Sequence, residues 1–380
     1  LRWRELIRYA DYVTRYKCNV IKIADASFVD TPMPLSFPVD RRACLQSPHD
    51  RYEFPEITVL EVSRATIYGR TNLLLVDDVV ICHDLYDFSR DFTSEELHGR
   101  TVIDAKKDRI RWLQYDNAPE AIASAAVFTD ATATNYAHWL TEVLPRIAMF
   151  CDVQAYTHVP LVVDAGLHPN LMESLRLIAG DQREIICIPV GRALEVERLY
   201  VTTPCGYVPF GRRTSKLVGH SHGLFSPVAL EKVRVKLFAC LKDKGLKSSP
   251  SKIYIRRTSG TRRVSNIAAV EAILESNGFT IVEPEKLGLL EQVALFSGAD
   301  GILGSTGAAL ANLIFCSPGA KINILIAIYP DTSYWYWQNM ACATFNSVRY
   351  VLGYIRKGEQ LGIHADFVVD LDDVRAIVSG

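Results

Sequence analysis

The stretch Asp300–Phe315, DGILGSTGAALANLIF, decides how the fold is read. An apolar run ends at Gly304, a short Ser305-Thr306-Gly307 turn follows, and an apolar helical pattern opens at once with Ala308. This is a strand, a tight turn and a helix. Small residues let a ligand approach the backbone, and a helix start presents N–H groups with partial positive charge. The turn therefore suits a phosphate, with Ser305, Thr306 and Gly307 as candidate ligands. Gly298, Gly301, Gly304 and Gly307 recur every third residue, which is not the dinucleotide G-x-G-x-x-G spacing, and no Gly-Lys-Ser/Thr follows as in a Walker loop.

The same texture extends outward. Strand patterns at 252–257 (KIYIRR), 279–284 (FTIVEP) and 319–328 (GAKINILIAI) alternate with helical ones at 266–278 and 287–299. An earlier run does likewise: strands at 121–129, 159–166, 183–190 and 198–204, with helices at 135–150 and 167–180. Alternation of this kind argues for βαβ units on parallel sheets. Residues 56–87 instead read as a small antiparallel meander, and residues 1–17 as a basic amphipathic helix that could lie on an anionic membrane surface or pack on its own domain. Pro227 to Lys244 reads as a helix, and 245–251 (GLKSSPS) as the linker. The expected class is α/β, with two Rossmann-like lobes and a β-rich N-terminal extension. The expected domains are 1–120 with the first lobe, 121–245 as the N-terminal Rossmann-like lobe, 246–345 as the C-terminal lobe, and a tail at 346–380 with a return to the first lobe as one option.

Composition bounds the function. A chain of 380 residues holds two to three domains at about 100–200 residues each. With 49% hydrophobic and 22% charged residues, collagen, disorder and disulfide scaffolds are excluded. The net charge of -1 offers no global field for nucleic acid, so any anion site must be local. The 9 cysteines form no C-x-x-C, and none of the 11 asparagines begins an N-x-S/T sequon, which favours a reducing, cytoplasmic setting. No stretch approaches the roughly 18–20 apolar residues of a membrane span. The chain begins at Leu1 rather than Met, so an upstream segment is expected to have been removed.

Two further segments carry chemistry. From Lys244 through Val270 there is no acid, yet seven basic residues occur, among them the pairs Arg256-Arg257 and Arg262-Arg263 around a loop at a strand end. Guanidinium forks bind phosphate oxygens bidentately. In 135–146 (NYAHWLTEVLPR), His138 and Glu142 are four apart and share a helix face. Either can serve as general base, since a carboxylate-oriented imidazole works near neutral pH. Pro145 is expected to end or kink the helix and to leave Arg146 at its edge. His220 and His222 lack a nearby cysteine or carboxylate for a metal site. Asp370-x-Asp372 reads as a solvated turn, and 333–337 (SYWYW) as sugar-stacking, lipid-facing or packing aromatics.

The string NYAHWLTEVLPRI, with KIYIRR, RRVSN, the run 278–315 and PGAKI, resembles glycosyltransferase family 61 over roughly 120 to 325. The resemblance implies a GT-B-like fold, a nucleotide-sugar donor bound by the 246–345 lobe with the acceptor on the 121–245 lobe, inversion at the anomeric carbon, and no required metal or cofactor. It places donor-binding roles on Arg257, Arg262, Arg263, Asn266, Gly307 and Asn312, with Glu291, Gln292, Gly304 and Leu310 also matching the motif. Thr306, Ala309, Ile267 and Ile324 depart from the family pattern, which bears on donor identity. The resulting expectation is an inverting transferase that builds capsule, lipopolysaccharide or related polysaccharide on a glycan or glycolipid acceptor. It would act in the cytoplasm, with peripheral contact at the inner membrane face as an option. His138 or Glu142 would be the base, and Asn135, Tyr136 and Arg146 would bind acceptor. The rival readings are a non-catalytic glycan-binding protein of the same fold and a dinucleotide-dependent oxidoreductase.

Overall fold

In the computed structural model the alternating strand and helix patterns form mixed α/β architecture. The structure describes residues 2–45, 49–113, 116, 118–210, 223–244, 250–258, 260–329, 334–359, 361–362 and 364–379. The chain separates into two compact units: Leu1–Ser27 with Phe54–Ser221, and Phe28–Glu53 with His222–Gly380.

The second unit holds a six-stranded sheet in the order Thr280–Val282, Lys252–Ile255, Gly301–Ser305, Lys321–Ile328, Val348–Tyr354, Leu35–Phe37. All neighbours are parallel. Gly301–Ser305 is buried throughout, as expected of a strand covered on both faces. Helices Ile267–Ser276 and Leu289–Ser297 connect the strands. The chain lays Thr280–Val282 on one side of Lys252–Ile255 and then crosses to the other. The strand order therefore reverses between Lys252–Ile255 and Gly301–Ser305, where open sheets leave a ligand crevice beyond the carboxyl ends. The segment after the glycine turn, Ala308–Phe315, winds as a 3-10 helix rather than an α-helix.

Several boundaries differ from those expected. Leu35–Phe37 joins the edge of this sheet, so residues 28–53 do not stay with the first lobe. The tail does not return to the first lobe either. Val348–Tyr354 is a sheet strand, and Val374 and Ile377 of helix Leu371–Ser379 share a core with Tyr254, Leu303 and Val351. Helix Pro227–Lys244 also belongs here, because its buried Arg234 donates to the Ile314 and Cys316 carbonyls, the latter at 3.0 Å. The expected linker residues 245–249, together with His220, His222 and Ser333, lie outside the described residues. Trp335 and Trp337 are buried in helix Trp335–Cys342, and Asp370 Oδ1 accepts the Asp372 N–H at 2.8 Å.

In the first unit four parallel strands run in the order Ile185–Ile188, Leu161–Asp164, Glu120–Val127, Ala193–Thr202. The order reverses between the last two, which gives this unit a crevice of the same topological kind. Ile57–Tyr68 pairs antiparallel along Ala193–Thr202, and Leu74–Val76 and Val79–Cys82 continue the expected meander. Trp3–Arg8 is a strand parallel to Val79–Cys82, so only Tyr9–Tyr16 of the expected N-terminal helix is helical. The reason is the alternation of strand side chains. Leu6 and Ile7 enter cores on opposite faces of the sheet, which a helix cannot arrange. Among the described residues no helix is long and apolar enough to cross a membrane.

Candidate active site

The first unit's site begins on the helix of residues 136–151. Asn135 caps it, its side chain accepting the Ala137 N–H at 3.0 Å. Trp139–Val143 winds as a π-helix, with the Leu144 N–H reaching the Trp139 carbonyl. Pro145 has no N–H to donate, and the widened turn absorbs it, so the helix neither ends nor leaves Arg146 at an edge. Arg146 is buried, with Nε donating to the Glu142 carbonyl at 3.1 Å and its guanidinium 3.5 Å from Asp130 Oδ2. Gly206 lies against this widened turn. A Cβ there would stand 2.1 Å from the Thr141 carbonyl oxygen.

His138 and Glu142 meet as their spacing implies, Nδ1 on Oε1, and Glu142 Oε2 accepts the Val208 N–H at 3.3 Å. Burial opposes charge on the imidazole. The charge and hydrogen bond of Glu142, with a further contribution from Asp130, outweigh it and raise the His138 pKa. The Phe210 ring lies 5.2 Å from the His138 ring.

Beyond the carboxyl ends of Glu120–Val127 and Ala193–Thr202 opens a pocket. Asp130, Glu142, Arg146, Thr202 and Gly206 line it, joined by His83, Tyr86 and Glu95 from the antiparallel region. Asp164, at the end of its own parallel strand, fixes the Asp130 loop by accepting the N–H groups of Asp130 at 2.8 Å and Arg70 at 2.5 Å. Burial pushes the Asp164 carboxyl up to about 7. Of the expected acceptor residues, Arg146 lines the pocket, whereas Asn135 and Tyr136 do not.

The second unit's crevice divides the two arginine pairs. Arg256 forks onto Glu271 at 2.7 and 2.8 Å, and Arg263 pairs with Asp366 at 2.7 Å. Arg257 instead crosses to the glycine turn, Nη1 donating to the Thr306 carbonyl at 3.2 Å and Nε to the Thr261 carbonyl at 2.7 Å. A Cβ on Gly307 would fall 2.2 Å from Arg257 Nη1. Arg262 sits at φ 60, and its buried Nε has no partner among the described residues. Burial lowers the pKa of both guanidiniums, and Arg262 lowers that of Arg257 further. Neither has a carboxylate ion pair among the described residues.

The expected donor ligands are thus sorted. Arg257 meets the Thr306-Gly307 turn, and Arg262 lies near enough to Arg257 to lower its pKa. Arg263 is held by Asp366. Asn266 donates to the Val369 carbonyl at 2.8 Å and pins the C-terminal segment. Asn312 donates to Gln292 Oε1 at 2.8 Å inside the core, and Ser305 is buried at the strand end. These last two support the turn from beneath.

The protein is a glycosyltransferase. Residues 136–323 match the family model described as Glycosyltransferase 61, from the His138 helix through the Arg257–Gly307 crevice, and the chain carries a domain of that family. No curated protein matches it.

Proposed function

We propose that this glycosyltransferase is GT-B-like, with two Rossmann-like lobes, and moves a sugar from a nucleotide-sugar donor to a glycan or glycolipid hydroxyl with inversion. The observation that carries the donor assignment is the pair Arg257 and Arg262, two partly buried guanidiniums without a carboxylate ion pair among the described residues, the first of them on the Thr306-Gly307 turn. In this reading they bind the diphosphate, together with the first N–H groups of the 308–315 helix. The departing nucleoside diphosphate takes the C1–O electron pair, and these cationic donors stabilise it in the role a metal plays in other transferases. His138 removes the acceptor proton with the ring nitrogen that Glu142 leaves free, and Glu142 orients the ring. The products fit capsule, lipopolysaccharide or related polysaccharide synthesis in the cytoplasm or at the inner membrane face.

The test is Arg257→Ala. Removing one preorganised donor costs about 10²–10³ in turnover. Nucleoside diphosphates should also stop stabilising the variant, whereas at 100 times Kd they add about 2.7 kcal/mol to the wild type. Near-normal turnover, or nucleotide stabilisation equal to wild type, would sink the donor assignment. A wild type that binds glycan but consumes no nucleotide sugar would favour the non-catalytic reading.

A further inference from the structure

Three polar atoms in the first unit's pocket have no place in the fold's own hydrogen bonding. His83 Nδ1, Glu95 Oε2 and Thr202 Oγ1 are buried, and none has a partner among the described residues. Their residues are 6%, 0% and 1% exposed, and all three line the same pocket. Buried polar groups are ordinarily satisfied, so three orphans around one cavity mark where an incoming molecule supplies the missing bonds. They come from three separate stretches of chain, yet the fold gathers them at one strand-end crevice.

The chemistry of the walls narrows the ligand. His83 stacks on Tyr86 with ring centroids 3.8 Å apart, and Tyr207 meets both rings edge-on. Burial lowers the His83 pKa to about 3, so the ring is neutral and carries one N–H and one lone pair. Asp130 and Glu142 also face the cavity, and Arg146, the one arginine among its described lining residues, is already turned to Asp130 and to the Glu142 carbonyl. Among the described residues an anion meets carboxylates here and no free cation. A hydroxyl both donates and accepts, so it suits all three orphan atoms, and the C–H faces of a sugar ring suit the aromatic wall.

We propose that the pocket at His83, Glu95 and Thr202 is a saccharide subsite that takes a neutral pyranose of the acceptor through its hydroxyl groups. This deepens the transferase reading and rests on it for the word acceptor. Sugar binding in the pocket is measurable without turnover.

The test uses substitutions that leave shape and remove the orphan atom. Thr202→Val and His83→Phe remove Thr202 Oγ1 and His83 Nδ1, which have no partner among the described residues, so melting temperatures should stay level or rise. A panel of neutral methyl glycopyranosides is titrated by ligand-observed NMR, with methyl glucuronide as the anionic control. Wild type should bind at least one neutral glycoside and not the glucuronide, and each variant should bind it about tenfold more weakly. Uridine and guanosine diphosphate, titrated in parallel, should bind wild type and variants alike. The proposal is overturned if no neutral glycoside binds, if the glucuronide binds as well, or if the variants bind sugar like wild type. It is also overturned if the variants melt several degrees lower, which would give the groups a structural role. Failure of both diphosphates on wild type, with sugar binding intact, would instead bring down the donor assignment alone.

Discussion

The two sites occupy equivalent positions on their sheets and are built from opposite groups. Each lies where a parallel strand order reverses, beyond the carboxyl ends of two adjacent strands. Past Lys252–Ile255 and Gly301–Ser305 stand Arg257, Arg262 and a glycine turn. Past Glu120–Val127 and Ala193–Thr202 stand Asp130, Glu142, His83 and Glu95. Topology makes the crevice, and the side chains at its rim choose the sign of what enters it. In the proposed function, cations without ion pairs among the described residues take a diphosphate, whereas carboxylates and neutral hydrogen-bonding groups take hydroxyls. Substitutions that act on one region and leave the other alone can break this contrast.

The largest expected effect comes from Gly307→Ala. The residue has an extended backbone, φ 172, so alanine fits the chain without strain. Its Cβ would meet only the tip of the Arg257 side chain, which can swing away. Stability should therefore change little, while turnover falls about 10²-fold because one aimed guanidinium is lost. Sugar binding in the first unit should be untouched. Turnover within twofold of wild type would mean that the position of Arg257 does not matter to the reaction.

Next in size is a pH shift. Burial lowers the His138 pKa, but Glu142 and Asp130 reverse this and leave it raised above 6.5. A base must be neutral, so kcat/KM should climb with pH through an inflection above 6.5. The pair's contribution to stability has the opposite course. It is complete below 6.5 and is lost as pH rises through the raised value. Glu142→Gln removes both of the glutamate's effects, so the inflection should move to lower pH and the alkaline loss of stability should shrink. An unmoved inflection would show that another group titrates. Complete loss of activity at every pH would make Glu142 itself the base.

The second unit's site was largely legible in the sequence because its parts are local. Strand, turn and arginine pairs lie within about sixty residues, and the glycine spacing announces a close backbone approach. The His138–Glu142 contact was equally local, at one helical turn. The first unit's pocket was not legible. His83 and Glu95 come from a β-rich region, Asp130 and Thr202 from strand ends far apart in sequence, and only the sheet order brings them together. Asp130 and Asp164 carried a faint signal, each following an apolar strand pattern by one or two residues. The π-turn was hidden too, since Pro145 by itself argues for a break, and only Gly206 packed on the Thr141 carbonyl shows how the helix continues.

The smallest effect discriminates most finely among neighbours. Arg262 and Arg263 are adjacent, and sequence gives them one role. The structure does not: the Arg263 guanidinium is exposed and forms an ion pair with Asp366, whereas Arg262 lies partly buried with no carboxylate ion pair among the described residues. Water screens an exposed pair, so it adds little to stability. Arg263→Ala should therefore barely change denaturant unfolding and leave nucleotide binding and turnover within about twofold. Arg262→Ala, one residue away, should weaken nucleotide binding while leaving stability level, because its Nε has no partner among the described residues. A reversed pattern, with Arg263 needed for nucleotide and Arg262 dispensable, would require the Asp366 pair to open when donor binds. The anion site would then be assembled by its ligand rather than prepared for it.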